Sequence, residues 1–295
     1  MEQDTMNERY KDLQLAEQGA RLSMVAYVTL SFAKLFIGNA FGSASLSADG
    51  LNNFTDVIST VAVMIGLRIA RRPADEDHPY GHWKAETIAS LSTSFIMLLV
   101  GLQVLFSSFS KLTGGEFTTP DVVSGVTAMI AGFIMIGVYI FNNRLANRIN
   151  SIGLAASAKD NLSDALTSFA AAIAIFGSIF GLYWLDGVMA VIVGVVIIKT
   201  AIDIFRESAF SLSDGFETNY LTEYRQAILD IPDVEQVTTI AARSYGANVY
   251  VDVTILLDAE LTVLRSHEIT EEVEERMRTA FNVFETDVHV EPLTH

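Results

Sequence analysis

The chain has 295 residues, 51% of them hydrophobic, a mean hydropathy of +0.36 and a net charge of −16. That is too apolar for an ordinary acidic soluble protein and points to a membrane protein with a polar part. The absence of cysteine excludes a disulfide framework, thiolate zinc sites and cysteine nucleophiles, and the acidic balance argues against nucleic acid as a partner.

Met1–Ala20 is polar and mixed in charge, without the apolar core of a signal peptide. Up to Gln18 it reads as a lead-in, with a short amphipathic helix at most. Six apolar segments follow, each near the roughly 20 residues that span a bilayer. They are Leu22–Phe41, Ser47–Ile69, Glu86–Phe109, Val122–Phe141, Ile152–Gly181 and Trp184–Ile204. The breaks between them are Gly-rich, polar or charged: Gly42-Ser43, Arg71-Arg72-Pro73, Gly114-Gly115, Asn142-Asn143-Arg144 and Gly181–Asp186.

The basic residues orient these segments. Arg9, Lys11 and Arg21 precede the first, and Arg68, Arg71, Arg72 and Lys84 lie between the second and third. Arg144 and Arg148 lie between the fourth and fifth, and Arg206 follows the sixth; the other loops hold only Lys111. Six crossings put all but Lys111 on one side, so both termini are expected in the cytoplasm.

From about Leu212 the pattern becomes that of a soluble domain. Thr218–Leu229 reads as an amphipathic helix ended before Pro232. Val234–Ala242 and Asn248–Leu257 read as strands joined at Ser244–Ala247; Val249, Val251, Val253 and Ile255 alternate with polar neighbours. Val263–Phe281 reads as a helix with an acidic outer face and Val283–Val290 as a last strand. The expected fold is therefore α-helical in the membrane, six transmembrane helices, with an α+β (αββαβ, ferredoxin-like) cytoplasmic domain. The expected divisions are 1–21, an N-terminal cytoplasmic segment; 22–211, the transmembrane domain; and 212–295, the cytoplasmic domain.

Within the fifth apolar run stand Asp160 and Asp164, four residues apart and so on one face of a helix. The second run holds Asn52 and Asp56 at the same spacing. An ionisable group at membrane depth costs about 2.5–3.5 kcal/mol on insertion scales, so it faces a partner or a wet cavity and marks a pathway. Two helices offering two oxygen ligands each can enclose a hard divalent cation. The bland alternative is polar glue between helices, for which three aspartates are a poor choice. An all-oxygen set favours Mn²⁺ or Mg²⁺; Zn²⁺ prefers nitrogen and sulfur.

Other polar residues have weaker signals. Asp49 lies three before Asn52, and Lys34 is a candidate to pair with it. Lys159 points away from Asp160 around the helix, and Lys199 and Asp203 read as snorkelling to the interface. In the loop Pro73–His82, His78 and His82 with nearby acids are a possible metal site or an ordinary exposed turn. In the tail, His289 and Glu291 share one strand face, and His267 stands apart; a lone His beside a carboxylate is more often a surface hydrogen bond than a metal ligand. His295 carries no signal.

Together, Ser47-Ala48-Asp49-Gly50-Leu51-Asn52 through Asp56, the Pro73–Glu86 run with His-Pro-Tyr-Gly-His-Trp-Lys-Ala-Glu, Asp160 through Asp164 and the αββαβ tail resemble the cation diffusion facilitator transporters. The resemblance covers essentially the whole chain. It implies a homodimer in contact with lipid that exports divalent cations from the cytoplasm in exchange for protons, and no enzyme. Zinc members of that family typically carry His or Asp where this chain has Asn52 and His where it has Asp160, so the pattern resembles the manganese-exporting branch, with Zn²⁺ and Fe²⁺ as alternative cargo. The resemblance maps a loop metal site onto Asp75, His78 and His82, and a charge interlock onto Lys84 and Asp214. The tail departs from zinc members: Thr238 and Thr254 stand at metal-site positions while His267, His289 and Glu291 remain, which puts a two-metal cluster in doubt. No cofactor is expected, and the expected location is the inner (plasma) membrane of a bacterial cell. The rival classes are a membrane metal-dependent hydrolase, which wants a nitrogen-rich site and an activated water, and a membrane metal sensor.

Overall fold

The structure, a computed structural model, describes residues 2–41, 44–114, 122–182 and 184–293. The expected breaks at Gly42-Ser43 and Gly115, part of the Gly181–Asp186 break, and His295 lie outside the described residues. So do the side chains of Ser47, Ala48, Leu51 and Lys111. Two compact units form, Met1–Ser208 and Ala209–His295.

The first unit is helical: α1 Glu2–Ala40, α2 Ala44–Ala70, α3 Lys84–Gly114, α4 Val122–Ile149, α5 Ile152–Ile179 and most of α6 Trp184–Leu212. Among the described residues, five helices are long and apolar enough to cross a membrane: α1 to α5. The sixth, α6, has 29 residues; at about 1.5 Å per residue it exceeds a bilayer core of about 30 Å. Phe32, Phe36, Leu99, Phe106, Ile130 and Phe133 point outward and are exposed, the surface a lipid solvent requires rather than a water-facing one.

Several expected boundaries move, among them the end of α6, which runs to Leu212 and not to Ile204. α1 is continuous from Glu2, so the polar lead-in and the first span are one helix. Its polar start is held by Glu17, a buried carboxylate that accepts from Arg21 (2.8 Å), Arg68 (2.8 Å) and Arg71 (2.5 Å). This ties the start of the α1 span to the end of α2, on one side of the helical unit. The expected break at Asn142-Asn143-Arg144 is helical, and α4 runs on to Ile149, where Asn150 turns the chain with φ 52°. The physical reason is that Asn142 is buried and its amide donates to Ser23 Oγ (2.7 Å) and Asn161 Oδ1 (3.0 Å), so it caps no helix end.

α4 packs along α5 and α1 along α2, with α2 and α3 each touching α5. The start of α5 is fixed twice. Ser151 is its N-cap and accepts from Leu154 N–H (3.1 Å). Glu86 of α3, buried, accepts from Gly153 N–H (3.0 Å) and from the Ser151 hydroxyl. A carboxylate at a helix N-terminus satisfies amide groups left orphaned there. Gly153 lets it approach: a Cβ there would lie 3.0 Å from Glu86 Cγ.

The second unit contains α7 Thr218–Leu229, β1 Gln236–Tyr245, β2 Asn248–Leu257, α8 Val263–Phe281 and β3 Glu285–Pro292. The sheet order is β1-β2-β3. β1 pairs antiparallel with β2 (Val237↔Ile255, Tyr245↔Asn248), and β3 pairs parallel with β2 (Val253↔Val288) after the α8 crossover. Gly246, at φ 62°, makes the tight turn between β1 and β2. Thr262 caps α8 at its start, and Asn282 ends it in the left-handed conformation. Val251, Val253, Ile255 and Leu257 pack against Ile228, Ile269, Val273 and Met277 as the core. This is the αββαβ order read from the sequence.

Candidate metal centre

α2 and α5 bring the two pairs of candidate oxygen ligands read from the sequence, Asn52 with Asp56 and Asp160 with Asp164, to one place. Asp56, Asp160 and Asp164 each offer one oxygen, and the three oxygens lie within 4.8 Å of one another. All three residues are buried, at 4%, 6% and 4% exposure. Around a cation with about 2.1 Å bonds, opposite oxygens stand about 4.2 Å apart, so the 4.8 Å limit on the three oxygens is slightly wider than one coordination sphere and a small inward shift would close it. Oδ2 of Asp164 is buried and has no hydrogen-bond partner among the described residues, an acceptor left open within the cluster. Asn52 joins the group: its amide lies 3.4 Å from Asp56 Oδ2.

The surroundings hold residues the sequence reading did not single out. Asn53, fully buried, donates from Nδ2 to Asp56 Oδ2 (3.3 Å). Tyr27, also fully buried, donates its hydroxyl to Asp160 Oδ2 (3.3 Å) and accepts from Asn161 Nδ2 (2.8 Å). Ser23 donates to Asn161 Oδ1 (2.9 Å). A signal for these existed: Ser23, Tyr27, Ser31 and Lys34 recur at three- and four-residue spacing through an apolar run, which lines them up on one helix face. Ser31 Oγ donates to the Gly50 carbonyl (2.7 Å). Lys34 pairs with Asp49 at 2.7 Å, the partner suggested by the sequence. Lys159 bonds Glu207 instead of the cluster (2.7 Å), and Lys199 and Asp203 are exposed.

The loop trio also converges. Asp75, His78 and His82 each offer one ligand atom, and those atoms lie within 4.8 Å. Asp75 Oδ1 accepts from His78 N–H (2.8 Å) and Asp77 N–H (3.1 Å), and lies 3.0 Å from His78 Nδ1; Oδ2 is 3.4 Å from His82 Nε2. The hydrogen bond from the His78 side chain, helped by the His78 N–H, holds the Asp75 carboxyl below the ordinary aspartate range against the opposing effect of desolvation. The two imidazole centroids are 4.2 Å apart.

The tail residues do not converge. His267 lies 3.6 Å from Glu271 on α8, and His289 lies 3.7 Å from Glu291 on β3. Among the described residues no third ligand joins either pair within the chain. Thr238 donates to the Thr254 carbonyl (3.3 Å), and Thr254 Oγ1 accepts from Thr239 (2.8 Å), so the threonines knit the sheet. Lys84 opens α3, and Asp214 follows α6 in the left-handed conformation, φ 58°.

Comparison with known proteins accords with this geometry. Residues 20–213 match the cation efflux transmembrane domain, and residues 218–293 match the cation efflux protein cytoplasmic domain. The chain is 48% identical to the manganese efflux system protein MneS of Bacillus subtilis, over 97% of this chain and 99% of the relative. It is 45% identical to the uncharacterized transporter YdbO of the same organism, over 97% of this chain and 98% of that one. A more distant relative, the B. subtilis manganese efflux system protein MneP, is 27% identical over 95% of this chain and 97% of its own length. The chain belongs to the cation efflux family, the cation diffusion facilitators, and is a metal efflux transporter of the membrane rather than an enzyme.

Proposed function

We propose that the exported cation is Mn²⁺, that Asn52, Asp56, Asp160 and Asp164 bind it, and that protons move the other way. One observation carries this reading: three buried carboxylate oxygens within 4.8 Å, an all-oxygen set with no imidazole or thiol. Such a set suits a hard cation, whereas zinc gains most from nitrogen and sulfur. Two relatives named for manganese efflux support the same cargo.

The chemistry of exchange follows from the ligands. A carboxylate must be deprotonated to hold a metal, so metal and protons compete for the same oxygens. Cytoplasmic Mn²⁺ displaces protons, the helices rock to open the site outward, and protons then displace the metal. Alternating access of this kind needs the ligands on separate helices, and α2 and α5 supply them. Six crossings with both termini in the cytoplasm of a bacterial cell agree with the basic loops and with the Glu17 cluster that gathers Arg21, Arg68 and Arg71.

Asp75, His78 and His82 form a second metal site in this reading, exposed and of mixed nitrogen and oxygen donors. The tail serves to pair two copies. A metal at His267 or at His289 and Glu291 would need further donors from a second copy. Proteoliposomes loaded with a metal-sensitive dye test the proposal. Mn²⁺ flux should exceed Zn²⁺ and Fe²⁺ flux and should accelerate when protons are more abundant on the side the metal reaches. Metal flux indifferent to the pH gradient would remove the proton exchange.

A further inference from the structure

Lys34 sits in the apolar part of α1 with 0% exposure. An ammonium is a donor only, with three N–H groups. All three are used: Asp49 Oδ2 at 2.7 Å, Asn53 Oδ1 at 2.6 Å and Ser168 Oγ at 3.0 Å. One side chain therefore ties α1 to α2 and to α5, the two helices that carry the carboxylates. Ser168 stands one turn beyond Asp164 on the same helix.

The contact with Asn53 has a chemical consequence. Since Lys34 cannot accept, the amide atom facing it must be the oxygen. The NH₂ group then has to point the other way, and it meets Asp56 Oδ2 at 3.3 Å. Asn52 donates to that same oxygen at 3.4 Å. No N–H of Lys34 remains for Asn52, so its amide is free to turn and present its oxygen to a cation. Two adjacent asparagines thus differ in role although the sequence makes them look alike.

We infer that Lys34 is a positioning residue for metal transport: held by Asp49 and Ser168, it locks Asn53 as a fixed donor to Asp56. That lock keeps the Asp56 carboxylate aimed at the cluster and leaves Asn52, not Asn53, as the amide ligand. The inference rests on the transport-site reading above. Its mechanism is hydrogen-bond geometry at the site, so the readout that tests it is metal affinity in folded, inserted protein.

The test uses the full chain in liposomes, with Mn²⁺ uptake read as KM and Vmax for each variant. The variants are Asn53→Ala, the double change Lys34→Met with Asp49→Leu, and all three together. Removing Lys34 and Asp49 as a pair leaves no lone buried charge. Asn53→Ala and the double change should each raise KM about tenfold, the effect of losing one hydrogen bond to a charged group. In the Asn53→Ala background, the double change should add nothing further to KM, because the lysine acts through that amide. An unchanged KM in folded Asn53→Ala, or effects that multiply in the triple variant, would overturn the inference. Asn53→Ala keeps the Lys34–Asp49 pair, so it decides the question even if the double variant fails to fold. Asp164→Ala serves as the separate control: wild-type uptake there would sink the transport site itself, whereas its loss beside a normal Asn53→Ala would sink only the lock.

Discussion

The hydroxyl of Tyr27 on α1 lies 3.3 Å from Oδ2 of Asp160 on α5, and it also accepts the Asn161 amide at 2.8 Å. One atom is thus donor to a carboxylate and acceptor from its neighbour, in a place with no exposure. Tyr27→Phe keeps the ring and removes both bonds, leaving a buried amide donor unpaired. The expected loss is about 1–2 kcal/mol of stability, with a several-fold rise in KM for Mn²⁺ as Asp160 loses its orientation. Thermal unfolding in detergent and uptake kinetics measure the two effects; no change in either would mean the hydroxyl does not hold the ligand.

Asn52 is the position where ligand hardness can be altered by one side chain. Asn52→His places nitrogen beside Asp56, the atom type zinc prefers. The ratio of Zn²⁺ to Mn²⁺ uptake should rise by about tenfold or more, since a tenfold change needs only about 1.4 kcal/mol of differential binding. A metal profile identical to that of the unaltered chain would take Asn52 out of selectivity.

Two glycines separate close packing from mere presence in a helix. A Cβ at Gly66 of α2 would stand 2.3 Å from Ala89 Cβ and 2.9 Å from the Ala85 carbonyl oxygen of α3. Gly66→Ala should therefore force the helices apart at about 1–3 kcal/mol. Gly137 of α4 has nothing within 4 Å of its Cβ position. Gly137→Ala should be neutral or stabilise by up to about 1 kcal/mol, through helix propensity alone. Melting temperatures of the two variants make the comparison.

The loop around Asp75 should respond to acid in a defined direction. Its carboxyl is held below the ordinary range by the His78 hydrogen bond. A depressed folded value means that ionised Asp75 favours the turn above the ordinary aspartate pKa. That contribution is lost as pH falls through the lower folded value. The NMR signals of the backbone amides of Asp77 and His78, which donate to Asp75 Oδ1, should therefore report intact hydrogen bonds at mildly acidic pH and their loss only below the ordinary carboxylate range. In Asp75→Ala the same signals should resemble those of an unstructured turn at every pH, and a loop metal signal should vanish with them.

Much of this was legible in the sequence because period and polarity carried it. Four-residue spacing put Asp160 and Asp164 on one face, and two-residue alternation marked β2 from Asn248 to Leu257. What spacing could not convey was partnership across helices. Asn142 read as a break because Asn in isolation favours ends and turns, yet Ser23 and Asn161 satisfy its amide within α4. Asn53 has no signal of its own in the residue spacing; only the position of Lys34 makes it a fixed donor. Tyr27 stands in an apolar run, and its hydroxyl has a meaning only once α5 lies beside α1. The tail histidines could be placed on elements but not assigned, since among the described residues their side chains approach acids of their own element, Glu271 and Glu291, and converge with no further ligand.

The most direct measurement is Mn²⁺ flux in proteoliposomes for Asp56→Ala, Asp160→Ala and Asp164→Ala, each checked for folding and insertion. The expected result is loss of export in all three, because in the proposed site every carboxylate of the cluster supplies an oxygen to one cation. Wild-type export by any one of them would contradict a shared site.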